Sequence, residues 1–99
     1  MFMRISWGRI RPGQWEEYER RFDKLATAQT AAGGPKRRWL VRDLDEADAG
    51  FAISVFDTEA EMRAWGNDPA ARERMQKEMS DIYVGDYRTR QCEVRRQLG

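Results

Sequence analysis

Residues 51–69, FAISVFDTEAEMRAWGNDP, predict a strand followed at once by a capped helix. Phe51–Phe56 is apolar at every position except Ser54, which is typical of a central strand that is covered on both faces. Thr58 and Glu61 have the spacing of a capping box, with Thr58 as the cap and Glu61 at the third helical position. The stretch therefore predicts a buried strand joined by a short connection to a helix.

The same stretch also predicts a break in the helix that it begins. Gly66 and Asn67 interrupt the helical pattern, and Asp68-Pro69 has the form of a new cap with Pro at the first helical position. The apolar stripe then continues through Met75, Met79 and Ile82, and Gly85 is predicted to end this segment.

The flanking sequence supplies the remaining elements. Phe2–Ile10 alternates between apolar and polar residues and predicts the first strand, and Lys36–Leu44 predicts the second. Between them, Gly33–Pro35 predicts the end of a helix whose apolar residues recur every three or four positions. Tyr87–Arg96 predicts a long final strand. The stripe of the first helix comprises Trp15, Tyr18, Phe22 and Leu25.

The order of elements is β-α-β-β-α-β, which is the ferredoxin-like α+β arrangement. It predicts a four-stranded antiparallel sheet with the helices on one face. Met3, Ile5 and Trp7 share one side of the first strand, and no spare element is available to cover a second apolar sheet face. We therefore expect a homodimer that packs sheet to sheet, because such a face is a large exposed patch for a monomer.

Composition narrows the class of protein. The 99 residues are enough for one domain, residues 1–99. The formal net charge of +1 favours neither nucleic acid nor an anionic membrane, and the single Cys92 fits a reducing compartment. No signal pattern or membrane-spanning run is present, so we expect a cytoplasmic protein. The absence of His removes the usual general base and the usual ligand of zinc or haem.

The order of elements, the strand-to-helix step FAISVFDTEAEMRAW and the break WGNDP resemble the antibiotic biosynthesis monooxygenase-like family of the dimeric α+β barrel superfamily. This resemblance covers nearly the whole chain. It implies a dimeric α+β barrel with a pocket between helices and sheet in each subunit. It also implies oxidation of a small phenolic or quinol-type aromatic compound with O₂, with no metal, flavin or other cofactor.

The haem-degrading branch of the same family is disfavoured. In that branch, the resemblance implies an Asn on the first strand, a Trp on the second helix and an iron-ligating His nine or ten residues later. The corresponding residues here are Ser6, Trp65 and either Arg74 or Met75. Met75 has a thioether that can ligate iron, but a Met at helical spacing is typical of a core residue.

An oxygenase without a cofactor must stabilise a substrate anion, orient it and exclude water. We predict three catalytic residues: Trp65 to stack on an aromatic substrate, Asn67 to donate a hydrogen bond to its oxygen, and Arg74 to hold the anion. Ser6 and Tyr83 are predicted to add hydrogen bonds. The apolar residues predicted to contact the substrate are Phe22, Met62 and Met79.

Each of these residues also has a structural interpretation. Trp65 is spaced to pack the helix on the sheet, Asn67 suits a turn, and Ser6 is an ordinary strand residue. The basic clusters 36–38 and 88–96 are interpreted as solvated strand faces or dimer salt-bridge partners. Two functions therefore stay open: an oxygenase for a small aromatic molecule, or a non-catalytic dimeric module that binds a small ligand or stabilises an assembly.

Overall fold

Four strands and three helices make up the computed structural model, which describes residues 1–35 and 37–99. The predicted second strand begins at Lys36, which lies outside the described residues. In chain order the elements are β1 Phe2–Ile10, α1 Trp15–Ala31, β2 Arg37–Arg42, β3 Ala49–Phe56, α2 Glu59–Gly66, α3 Pro69–Met79 and β4 Tyr83–Glu93.

The strands form one antiparallel sheet in the order β2-β3-β1-β4. The helices pack on one face, so the predicted ferredoxin-like α+β fold is confirmed. β3 lies between β1 and β2, as its apolar sequence predicts. The core lies between α1 and the sheet, where the buried side chains are Ile10, Trp15, Tyr18, Phe22, Leu25, Met79 and Ile82.

Both predicted caps form. The Thr58 hydroxyl accepts a hydrogen bond of 3.1 Å from the Glu61 backbone N–H, and Asp68 Oδ1 accepts one of 3.0 Å from the Ala70 N–H. These bonds satisfy helical N–H groups that have no partner inside their own helices. The break between α2 and α3 therefore places the end of one helix directly beside the start of the next.

The prediction that Gly85 ends a helical segment is wrong. α3 ends at Met79, and Gly85 lies inside β4 with φ +70°. Trp7 pairs with Arg88, whereas Arg9 pairs with Val84, so residues 85–87 lie opposite Gly8 alone. Glycine adopts this positive φ without strain, and the result is a bulge that alters which residues of β4 face the helices.

The sheet face away from the helices carries three rows across β2, β3 and β1, in which every residue except Arg37 is apolar. Ile53 stands at its centre, between Trp39 on β2 and Ile5 on β1. In the flanking rows, Phe51 pairs with Val41 and Trp7, and Val55 pairs with Arg37 and Met3. Trp39 is 45% exposed and Val41 is 39% exposed. We call this surface the open sheet face.

No helix in the described part of the chain combines the length and the apolarity needed to cross a membrane.

An ion-pair network joins α1 to the segment after α3. Arg21 donates to Glu17 at 2.8 Å and to Asp81 at 2.6 Å, and Arg20 also donates to Glu17. Hydrogen bonds from Arg20 and Arg21 lower the pKa of Glu17 to about 2 from an ordinary value of 4.5. The network thus favours the ionised carboxylate in the folded state.

Replacing Glu17 with Gln is expected to lower the free energy of unfolding at neutral pH but not at about pH 2. The folded pKa lies below the unfolded one, so the contribution is complete above pH 4.5 and is lost as pH falls through about 2. Urea denaturation of wild type and Glu17→Gln across this pH range measures the contribution of Glu17 to the free energy of unfolding. Glu19→Gln, at an exposed position of α1 outside any described ion pair, is the control. An undiminished difference between Glu17→Gln and wild type at pH 2 would contradict the network.

Candidate functional site

A cavity of about 80 Å³ lies between the helices and the middle of the sheet. Its floor is made of small residues in paired positions, since Ser6 pairs with Ala52 and Gly8 pairs with Gly50. Large side chains at these positions would fill the space beneath the helices. The alternation of β1 places this floor opposite the apolar residues of the open sheet face.

One end of the cavity is walled by phenols. Tyr18 on α1 and Tyr83 on β4 line it, and their hydroxyls are hydrogen-bonded at 3.2 Å. Tyr87 also lines it, with its ring centroid 5.5 Å from that of Tyr83. The Tyr83 ring lies over Gly8, where a Cβ would come within 3.7 Å of it. The bulge in β4 and the absence of a side chain at Gly8 together bring these rings into the site.

The two inner phenols are neutral at physiological pH. Burial raises the pKa of both Tyr18 and Tyr83 above the ordinary value, and the neighbouring Tyr18 adds to the rise at Tyr83. A neutral phenol donates a hydrogen bond but is a poor base. Their chemical contribution is therefore to hold an oxygen atom in place.

The other end of the cavity is cationic. Arg38 on β2, Ser54 on β3 and Arg4 on β1 are consecutive partners in one cross-strand row, and all three line the cavity. The Nε atoms of Arg4 and Arg38 are buried and have no hydrogen-bond partner in the described chain. Burial lowers the pKa of each guanidinium, and the charge of Arg4 lowers that of Arg38 further.

Neighbouring groups hold two of the arginines of the lining, Arg38 and Arg72, in place. Arg38 donates to the side-chain oxygen of Gln29, which is only 4% exposed, and its guanidinium lies 5.2 Å from the centroid of the Phe22 ring. Arg72 at the start of α3 donates to the Gly66 carbonyl at 3.2 Å and adds a third cation to the lining. The lining contains no Asp or Glu among the described residues.

Trp65 forms one side wall from the last turn of α2. Its ring edge lies against Gly34, where a Cβ would stand 2.8 Å from the indole. Trp65 also borders a wider depression of about 570 Å³ that is lined by Pro35, Val55 and Asp68, among others. The indole thus separates the inner cavity from the more open depression.

The structure brings together four of the eight predicted site residues. Ser6, Phe22, Trp65 and Tyr83 line the cavity. The Ser6 hydroxyl is also within 2.9 Å of the Thr89 hydroxyl. The functional roles assigned to these residues stay predictions.

The other four predicted residues do not line the cavity. Asn67 is exposed at the end of α2, and Arg74 is a half-buried residue of α3. Met62 is 2% exposed and Met79 is fully buried, so both serve the core. Any role for these residues in ligand contact stays a prediction, and the cavity gives it no support.

Sequence reasoning missed Arg4, Arg38 and the tyrosines Tyr18 and Tyr87. The sequence did contain a signal for Arg4. This residue lies on the polar side of β1, opposite the apolar side of the same strand. A polar and small-residue strand face under helices indicates a cavity rather than a filled core. Arg38 could not be found in this way, since its pairing with Ser54 depends on the register of β2.

Solved structures with the same fold include two enzymes. MhuD from Mycobacterium tuberculosis, described as a heme-degrader with two hemes bound in its active site, shares 21% identity over the full length of both chains, with a TM-score of 0.77. SnoaB from Streptomyces nogalater, described as a cofactor-independent oxygenase, shares 15% identity over 98% of this chain and 95% of its own, with a TM-score of 0.76. At these identities the likeness shows the fold alone.

Sequence comparison identifies the family. No curated protein matches the chain in sequence. The family model for antibiotic biosynthesis monooxygenases matches residues 1–77 and so includes β1 to β3, α2 and most of α3. The chain therefore belongs to the antibiotic biosynthesis monooxygenase family.

Proposed function

We propose that the protein is a cofactor-independent monooxygenase that oxidises a small phenolic or quinol-type compound with O₂. The observation that carries the proposal is a cavity with an aromatic wall, neutral phenol donors and unpaired guanidinium groups. A cofactor-independent oxygenase with the same fold, SnoaB, supports it. At about 80 Å³ the cavity is smaller than the roughly 150 Å³ that holds benzene, so one ring is the largest group that it can take, and binding that ring requires side chains of the walls to move outward.

The proposed reaction begins when the substrate hydroxyl loses its proton. No His exists in the chain, and no carboxylate of the described residues lines the cavity, so water must accept that proton. The cationic lining lowers the pKa of a bound phenol by favouring its anion. One hydroxyl of the Tyr18–Tyr83 pair is free to donate to the phenolate oxygen, because the other donates within the pair, while the Trp65 ring stacks on the substrate.

The phenolate then reacts with O₂ at a ring carbon. One oxygen atom stays on that carbon, as a carbonyl in a quinone product or as a hydroxyl in a hydroxyquinone product, and the other leaves as water with two hydrogens of the substrate. A phenol thus becomes a quinone, and a quinol becomes a hydroxyquinone. The substrate supplies all four electrons, so the reaction needs no external reductant.

Haem does not fit this site. The chain lacks His, and the position that the resemblance assigns to the iron ligand falls on Arg74 or Met75. Met75 lines the cavity, but the cavity of about 80 Å³ is well below the roughly 300 Å³ at which sites for drug-sized ligands begin. The missing His ligand and the small cavity both argue against haem degradation, the activity described for MhuD.

Oxygen uptake with single-ring quinols tests the proposal. We expect wild type to consume O₂, and Trp65→Ala to lower kcat/KM by about tenfold to a hundredfold through loss of substrate orientation. Arg63→Ala, at an exposed position of the same helix, is the matched control and should behave like wild type. Equal uptake by wild type, both variants and buffer would contradict the oxygenase function.

The second candidate is a non-catalytic dimer that binds a small ligand. The absence of a carboxylate or imidazole base in the cavity is the observation that favours it. Ligand binding without any oxygen uptake would support this alternative. In both cases we propose that two copies pack through the open sheet face, because no element of the described chain covers it.

A further inference from the structure

The arginine row at the inner end of the cavity is built as a site for an anion. We infer that the ligand is a single-ring aromatic carboxylate, whose carboxylate lies between Arg4 and Arg38 and whose ring lies towards Tyr83. This inference rests on the proposed function only in using the same cavity. It names the chemical class of the ligand, which neither the family nor the fold assigns.

The first argument is the absence of countercharge. None of the ion pairs within the described chain involves Arg4, Arg38 or Arg72. Buried charges in proteins are usually paired, because desolvation without a partner is unfavourable. The buried Nε atoms of Arg4 and Arg38 have no partner in the described chain and line one cavity, which favours the binding of an anion from outside the chain.

The second argument is geometric. Arg4 and Arg38 stand on β1 and β2 with Ser54 of β3 between them, so their backbones are about 10 Å apart at ordinary strand spacing. Both side chains rise from the same face of the sheet with only the small Ser54 between them, which leaves room for one planar anion. Arginine donates hydrogen bonds in a fork that matches a carboxylate.

The third argument is that Arg38 is held before any ligand binds. Gln29 accepts a hydrogen bond from Arg38, and the Phe22 ring supports the face of the same guanidinium. Gln29 is therefore a positioning residue. Preorganised donors bind an anion without the cost of ordering flexible side chains.

The opposite end of the cavity determines which chemical group the ligand carries besides its carboxylate. Gly8, beneath the Tyr83 ring, is four residues along β1 from Arg4, or about 13 Å of strand. Side chains reach in from both ends, so a ligand between the cationic end and the phenolic end can contain no more than one ring. Aliphatic anions would leave the aromatic walls without contact, and neutral phenols would leave the arginines without a partner.

Binding of benzoate and benzamide tests the inference without requiring turnover. Titration calorimetry of the full chain should give a Kd for benzoate about 30-fold lower than for benzamide, its neutral isostere. Arg4→Gln and Arg38→Gln should each remove most of this difference. Arg38→Lys should keep part of it, and Arg63→Gln, outside the cavity, should keep all of it.

Thermal melting of the same variants guards against misfolding. A half-buried cation without a countercharge destabilises the free protein, so Arg4→Gln should not melt below wild type without ligand. Arg38→Gln also removes the donor to buried Gln29, so it should melt somewhat lower but still in one cooperative transition. Equal affinity for benzoate and benzamide, or equal loss in Arg63→Gln, would overturn the inference. Acetate binding as tightly as benzoate would also overturn it, because the ring would then contribute nothing.

The outcome is independent of the oxygenase test. Benzoate binding that depends on Arg4 and Arg38, with no uptake of O₂ on any quinol, would support the carboxylate site and contradict the oxygenase function. Uptake of O₂ with hydroquinone that benzoate does not inhibit would support the oxygenase and overturn the carboxylate site.

Discussion

Replacing Ile53 with Arg is expected to raise the dissociation constant of the proposed homodimer about a thousandfold or more. Ile53 is the centre of the open sheet face, between Trp39 and Ile5. In a sheet-to-sheet dimer, residue 53 of each copy is buried at the interface. Two unpaired guanidinium groups would then be desolvated and would repel each other, whereas in a monomer each would remain in water.

Sedimentation at micromolar concentration measures this change. Wild type should sediment as a dimer and Ile53→Arg as a monomer. Leu44→Arg is the matched control, because Leu44 is 92% exposed outside the sheet. A stable wild-type monomer at this concentration would contradict the dimer. A dimeric Ile53→Arg would show that the copies associate through another surface.

Replacing Gly50 with Ala is expected to lower the free energy of unfolding by about 3 kcal/mol. A Cβ at Gly50 would overlap the carbonyl oxygen of Val41 on the adjacent strand and stand 2.8 Å from the Trp15 ring. The carbonyl belongs to the sheet backbone and cannot turn aside as a flexible side chain can. The strain therefore falls on the pairing of β2 with β3 and on the core beneath α1.

Thermal and urea denaturation measure the loss, which corresponds to a fall in Tm of roughly 15 °C for a domain of this size. Gly66→Ala is the control, since the nearest atom to its new Cβ is 3.5 Å away and its φ is not positive. That variant should stay within about 1 kcal/mol of wild type. Equal losses in the two variants would contradict the steric argument, because no atom lies closer than 3.5 Å to the new Cβ at Gly66.

Prediction from sequence succeeded where a feature depends on neighbouring residues. The caps at Thr58 and Asp68 form as predicted, because each bond joins atoms two or three residues apart. It failed at Gly85, which ends helices as readily as it forms bulges. Only pairing with β1 decides between these two roles, and that pairing joins opposite ends of the chain.

The residues of the candidate site also differ in whether neighbouring sequence or strand register places them. Trp65 was found from its place near the helix break, whereas Arg38 was not, because only the register of β2 brings it to the cavity. Arg74, chosen as the anion holder, lies outside the cavity lining. Sequence spacing along a helix gave no direction for its side chain relative to the sheet.

The amino-acid sequence alone determined the order of elements, the two helix caps, the apolar side of β1 and the absence of an imidazole. These features follow from local hydrogen bonds, periodicity and composition. Tertiary structure decided that the polar side of β1 faces the helices and that Arg4, Ser54 and Arg38 form one row. Cross-strand register joins residues far apart in the chain, and it is set by how the whole sheet packs.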